Sequence, residues 1–339
     1  MTFAIEQITV KFPESIAADS YYDAIKSQAL TGTFSNYDAD KSIGKSRHLS
    51  AATKLFSSTA RRLIADTEAK ITLETDPGAI GIFFAGENIN LEDDFAFDMC
   101  ARNHGPDYVS PLHAPNTLSN VVASHFARFA GIQGPNCTVS SGQSGLAHTL
   151  DLAFLSIENE SINRGIVGAV EVYSPYHQTL TPTPREVACG FVVRRCQESD
   201  PVRIHIPTIF TNPTPDVNNA VAAINQAVNG QNLPNGLDCL VITASSGFYG
   251  ASKVLAAAMY ASNSAQYVID GEAWLGQAGE CANSFLFAGW ANELLSQNLQ
   301  IPEEAGPFLY GEPVTAPSTI GILACDDDGQ HSLVVFQKQ

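Results

Sequence analysis

Gly134-Pro135-Asn136-Cys137-Thr138-Val139-Ser140-Ser141-Gly142-Gln143-Ser144-Gly145 holds the key to the chain. A β-branched pair, Thr138 and Val139, gives way to small residues and then to Leu146, Leu150, Ala153 and Phe154 at helical spacing. The pattern predicts a strand, a tight turn and a helix, with side chain 143 presented at the turn, the geometry of a nucleophile elbow. Cys, Ser or Lys at such a turn can be activated by a neighbouring base or a helix N-terminus, but a carboxamide has no ionisable proton and is a poor nucleophile. The scaffold reads as catalytic and the reacting atom does not. Ser144 does not replace it, because Gly142-Gln143-Ser144-Gly145-Leu146 misses the Gly-x-Ser-x-Gly pattern of serine hydrolases by one position.

Working outward, 339 residues with 45% hydrophobic content suffice for two domains or one large fold of two similar halves. No apolar run approaches the roughly 18 residues of a membrane span, and the N-terminus lacks the regions of a signal peptide, so a cytoplasmic protein is expected. The seven cysteines are scattered singly and no His stands at metal-ligand spacing, which predicts reduced thiols and neither a zinc site nor a disulfide framework. Cys137 is expected to share a strand face with Val139. A formal charge of −17 argues against nucleic acid or an anionic membrane as partner. Neither a metal nor a cofactor is expected. Asp326-Asp327-Asp328 reads as a solvated turn, and His104, His113, His125 and His148 as structural histidines, since no activatable nucleophile accompanies them.

Along the chain, strands are expected at 5–12, 79–86, 165–172, 187–194, 202–206, 237–243, 266–269, 319–323 and 332–336. Helices are expected at 15–29, 50–65, 91–101, 116–130, 217–228 and 252–262, with a last one opening at Gly276-Gln277 and running to Leu295. The run at 79–86 is continuous and apolar, as in a strand covered on both faces, and 165–172 and 237–243 read as buried strands as well. Strands and helices recur in the same order in a half at 1–200 and a half at 201–339. This predicts a duplicated α/β fold with sheets between helical layers.

The run from Gly86 through Phe154 resembles the β-ketoacyl synthases of the thiolase fold, through Gly105-Pro106, Ser110-Pro111, Pro115, Asn120, Gly134-Pro135, Thr138-Val139-Ser140 and the small residues around 143. The second half matches more loosely, through 238–247, Leu275-Gly276-Gln277 and 319–336. The resemblance implies five αβαβα layers. It also implies a Cys, two His and a Lys, which in the family transfer an acyl chain and decarboxylate a malonyl extender. Those positions fall on Gln143, Thr243, Gln277 and Glu272, and the family's Gly-Phe-Gly-Gly loop falls on Asp326-Asp327-Asp328-Gly329, so the chemistry is absent. Losing one member of such a cooperating set commonly costs roughly 10³ to 10⁶ in rate.

Gln at the nucleophile position of a ketosynthase-like chain is the mark of the chain length factors of type II polyketide synthases. By that resemblance the chain forms a heterodimer with an active ketosynthase and meets acyl carrier protein mainly through it. The tunnel and gate positions fall on Leu91, Asp94, Phe95 and Asp98, one face of a helix. The dimer interface falls on Leu112, His113 and Asn116 and on the edge strand Cys137, Thr138, Val139 and Ser140. Two other readings stand beside it: a decarboxylase making an acetyl starter from malonyl carrier protein through Gln143, and a non-enzymatic homodimeric acyl-binding scaffold.

Overall fold

In the computed structural model, residues 2–13, 20–27, 30, 32–37, 48–65, 68–177, 185–212, 216–231, 233, 236–244, 252–276, 281–313, 315–326 and 328–339 are described. The continuous apolar runs of the sequence become its innermost strands. β2 (Ile80–Ala85) is buried throughout and lies between two parallel neighbours, β3 (Asn136–Val139) and β4 (Arg164–Glu171). β4 then pairs antiparallel with β5 (Val187–Arg195), which pairs with β1 (Thr2–Lys11). The order repeats in the second half. β8 (Leu237–Ala244) is buried throughout and lies between parallel β9 (Ala265–Asp270) and β11 (Thr319–Cys325), and β11 pairs antiparallel with β12 (Gln330–Lys338). Strands this uniformly apolar cannot face water on either side, so both faces must be covered. The short strand β6 (Val202–His205) pairs with both β1 and β12 and joins the two sets into one 12-stranded sheet. β7 (Thr208–Thr211) adds to β12, and β10 (Leu309–Tyr310) to β9.

Three apolar clusters account for the layers. On one outer face α2 (Ala51–Ala65) and α5 (Val121–Ala130) pack Phe56 and Phe126 edge-on against each other and Phe56 against Phe84 of β2. On the opposite outer face α7 (Val217–Gly230) and α8 (Ser252–Ala261) bring Ile224, Leu255 and Met259 onto Leu240, Val268 and Leu323. Between the two halves of the sheet lie α6 (Gly145–Glu158) and α10 (Ala282–Gln297), with Leu150, Phe154, Phe285 and Trp290 buried. A helix between two sheet halves must be apolar nearly all round, and α10 is. Five αβαβα layers result, as the thiolase resemblance implies.

The element boundaries differ from expectation in places. The helix expected from Asn116 begins at Val121, because Ala114–Thr117 instead forms a single tight turn in which Leu118 N–H donates to Pro115 O. The helix expected at 15–29 is described only over α1 (Tyr21–Ser27), its flanks lying outside the described residues. No expectation covered β7, β10, α3 (Glu68–Thr75) or α9 (Gly271–Leu275). Among the described residues, no helix is long and apolar enough to cross a membrane.

Candidate functional site

β3 ends at Val139, Gly142–Ser144 makes one tight turn, and α6 starts at Gly145. This is the strand–turn–helix elbow expected from the sequence. Gly142 adopts φ +45°, which glycine alone adopts at no cost, and lets the chain reverse. Gly145 is held to a glycine by packing: a Cβ there would lie 3.0 Å from the Ala85 Cβ and 3.1 Å from the Cys281 Cβ at the head of α10. The two central helices therefore begin side by side. Gln143 lies at this meeting point with only 4% of its surface exposed, and its side-chain Oε1 is buried with no hydrogen-bond partner.

The hairpin joining β11 to β12 closes over the turn. Asp326 N–H donates to Gln330 O and Gly329 N–H to Asp326 O, which fixes the hairpin. From it the Asp326 carboxylate reaches the elbow, where Oδ1 accepts from the Gln143 N–H at 2.5 Å and Oδ2 from the Ser144 N–H at 3.1 Å. His148, one turn into α6, meets Gln330 Oε1 through Nε2 at 2.9 Å. The reading of 326–328 as a solvated turn fails at Asp326 and holds at exposed Asp328, while Asp327 lies outside the described residues. Asp326 is buried against the elbow, because the two backbone N–H groups that open α6 have no partner inside their own helix and take the carboxylate instead. Burial pushes the Asp326 carboxyl up to about 6, against the opposite pull of its two N–H donors.

Of the other degenerate positions, Thr243 and Glu272 are described. Thr243 closes β8, fully buried, and its hydroxyl donates to Leu323 O at 3.4 Å. Glu272, on α9, is buried, and its Oε2 accepts from Asn283 Nδ2 at 2.9 Å. Its Oε1 has no partner, and burial pushes this carboxyl up to about 8, so it carries a proton at neutral pH. Nearby, Arg185 donates to Glu171 Oε2 through Nε and Nη2 and to Leu275 O through Nη1, a buried ion pair on β4 and the start of β5 that sequence reasoning missed. Gln277 lies outside the described residues.

The expected tunnel positions lie on the helix after β2, and the expected interface positions on the 112–116 segment and on β3, which runs into the elbow. α4 (Leu91–His104) buries none of its residues within the chain. Phe95 stacks on Tyr176 at 3.9 Å between ring centres, and Asp98 pairs with Arg102 along the exposed helix; Leu91 is half-buried and Asp94 exposed. Leu112 is 62% exposed and His113 exposed, while Asn116 is buried, its Nδ2 donating to His48 O and to Asp93 Oδ1. Cys137, Thr138 and Val139 are half-buried and Ser140 exposed. β3 ends the sheet, with β2 its one strand neighbour among the described residues.

A profile for the β-ketoacyl synthase N-terminal domain matches residues 7–182, just over half of the chain and the part that contains the elbow. The chain belongs to the β-ketoacyl synthase family. Solved structures agree with this synthase-family fold at low identity. The chain is similar over 100% of its length to AntDE:AntF, a type II polyketide synthase acyl carrier protein in complex with its ketosynthase, at 14% identity, 99% of that chain and a TM-score of 0.70. It is similar to the ishigamide ketosynthase/chain length factor at 17% identity, covering 100% of this chain and 99% of that one, with a TM-score of 0.70. The ketosynthase from module 6 of the bacillaene synthase of Bacillus subtilis 168 matches at 12% identity, 100% of this chain and 72% of that one, with a TM-score of 0.71. No curated protein sequence matches.

Proposed function

We propose that this synthase-family chain is a chain length factor of a type II polyketide synthase: a subunit without chemistry of its own that pairs with an active ketosynthase and shapes the cavity in which an aromatic or polyene polyketide grows. One observation carries the reading. The side chain presented by an intact elbow is a carboxamide, buried and with no ionisable proton, so on this reading the chain keeps the fold of the synthases and lacks their nucleophile.

The surface supports a partner. No residue of α4 is fully buried within the chain, Tyr108 and Leu112 are 73% and 62% exposed, and β3 offers a strand edge. Leu91, Asp94, Phe95 and Asp98 would then face the tunnel or its gate. Leu112, His113 and the strand from Cys137 to Ser140 would face the partner, with Asn116 holding that segment from inside. A net charge of −17 favours the partner, not this chain, as the docking surface for an acidic acyl carrier protein.

The decarboxylase reading has less support. A developing enolate oxygen needs positioned donors, worth on the order of 10² to 10³ in rate each, and the Thr243 hydroxyl is already spent on Leu323 O. Co-expression with a Cys-containing ketosynthase encoded beside this chain, followed by size-exclusion chromatography with mass determination, tests the proposal. A one-to-one complex is the expected result. A monodisperse single chain or homodimer that ignores the ketosynthase would overturn it, and acetyl carrier protein formed at useful turnover would favour decarboxylation.

A further inference from the structure

We propose that the head of α6 remains an oxyanion-binding site and that its occupant is this chain's own Asp326, which closes the site to an acyl carbonyl or a free carboxylate. Two adjacent backbone N–H groups, those of Gln143 and Ser144, converge on one point at the start of a 14-residue helix, where partial positive charge accumulates. Donors arranged in this way stabilise negative oxygen. Both are taken by one carboxylate, each oxygen accepting one bond.

The fit is specific in three further respects. A Cβ on Gly142 would overlap Asp326 Oδ1, so the turn leaves room for the carboxylate only because position 142 is glycine. The hairpin carrying Asp326 is anchored a second time, one helical turn along, through Gln330 and His148. Gln143 Oε1 is buried beside the contact and unpartnered, so the amide side chain does not compete for the N–H donors. Two further carboxylates stand close. Asp328 shares the hairpin, and Glu87 Oε2 would be 3.7 Å from that Gly142 Cβ. Absence of reactivity here thus has two layers, a missing nucleophile and an occupied donor pair. The second layer is independent of whether the chain pairs with a ketosynthase.

A thiol placed at 143 reports the local field directly, because a helix start lowers a thiol's proton affinity and an adjacent carboxylate raises it. The test compares full-length Gln143→Cys with Gln143→Cys/Asp326→Asn and Gln143→Cys/Asp326→Gly. Alkylation by iodoacetamide is followed across pH and read at residue 143 by peptide mass spectrometry, with Cys137 in the same sample as internal reference. Removing the carboxylate is expected to raise the rate at pH 7.5 by roughly tenfold or more and to move the midpoint of the pH profile down. Acetate, the probe for a vacated site, is expected to protect Cys at 143 saturably in the Asp326→Gly pair and not in the single variant. Equal rates and equal midpoints in Gln143→Cys and Gln143→Cys/Asp326→Asn, with circular dichroism unchanged, would overturn the proposal and leave Asp326 as a helix cap. If the glycine variant loses its fold, the isosteric asparagine pair decides the matter alone.

Discussion

Gly142 and Asp326 fit together as socket and plug: the carboxylate occupies the space that any side chain at 142 would need, and residue 142 is already at positive φ. Gly142→Ala is therefore expected to destabilise the chain by about 1–3 kcal/mol, through overpacking and backbone strain together. Gly230→Ala, at the end of α7 with open space around it, is expected to change stability by no more than about 0.5 kcal/mol. Urea denaturation of the two variants checks the contrast, and equal effects would refute the account.

Arg185 pairs with Glu171 in the interior. Arg185→Met removes the guanidinium from beside that buried carboxylate and is expected to cost about 3–5 kcal/mol. Arg185→Met combined with Glu171→Leu should recover much of the loss, because two apolar side chains need no pairing. A double variant as unstable as the single one would show that the cost lies in packing and not in charge.

Stability should fall as the solution becomes more alkaline through the weakly acidic range. The Glu272 carboxyl lies at about 8 in the folded chain against 4.5 when exposed, and that of Asp326 at about 6 against 3.8. Between the lower and upper value of each group the native state holds the proton and the unfolded state does not. Stability is thus fully present below the lower value and lost as pH rises through the upper one. For Glu272 the effect is on the order of a few kcal/mol between pH 4.5 and 8. Glu272→Gln removes that slope and should be the more stable form at pH 8. Urea midpoints measured from pH 5 to 8.5 would contradict this if the two proteins kept parallel profiles.

β3 provides a probe of partner binding that spares the fold. Val139 O accepts from Gly86 N–H, and alternation along a parallel strand then turns the N–H of Thr138 to the open edge. Thr138→Pro removes an outward donor without removing a bond to β2. It is expected to abolish a ketosynthase complex built on strand addition while circular dichroism of the single chain is retained. An intact complex would place the interface elsewhere.

Much of the fold was legible because burial on both faces writes itself as unbroken apolar runs. β2 reads in this way, and the elbow reads from the change of pattern after Val139. The elements that escaped are those whose formation depends on neighbours. α3 buries one residue, Ala69, and leaves Ile71 exposed, so no helical period appears, and β7 and β10 exist only as additions to β12 and β9. Three consecutive aspartates read as solvated because nothing local says otherwise. What buries Asp326 is a pair of N–H groups 183 and 182 residues earlier, and sequence spacing carries no trace of that contact. Arg185 and Glu171 were missed for a different reason: they are 14 residues apart, across a loop whose course could not be read.

The contact between Asp326 and the elbow bears on how such a chain can change over generations. A replacement that placed a thiol at 143 would still meet a carboxylate supplied from the far end of the polypeptide. Removing Asp326 first would strip a helix of its cap with nothing in return. On the proposed function, a thiol at 143 and the loss of Asp326 would have to arrive together before the elbow could react, so the two positions change as a pair or not at all.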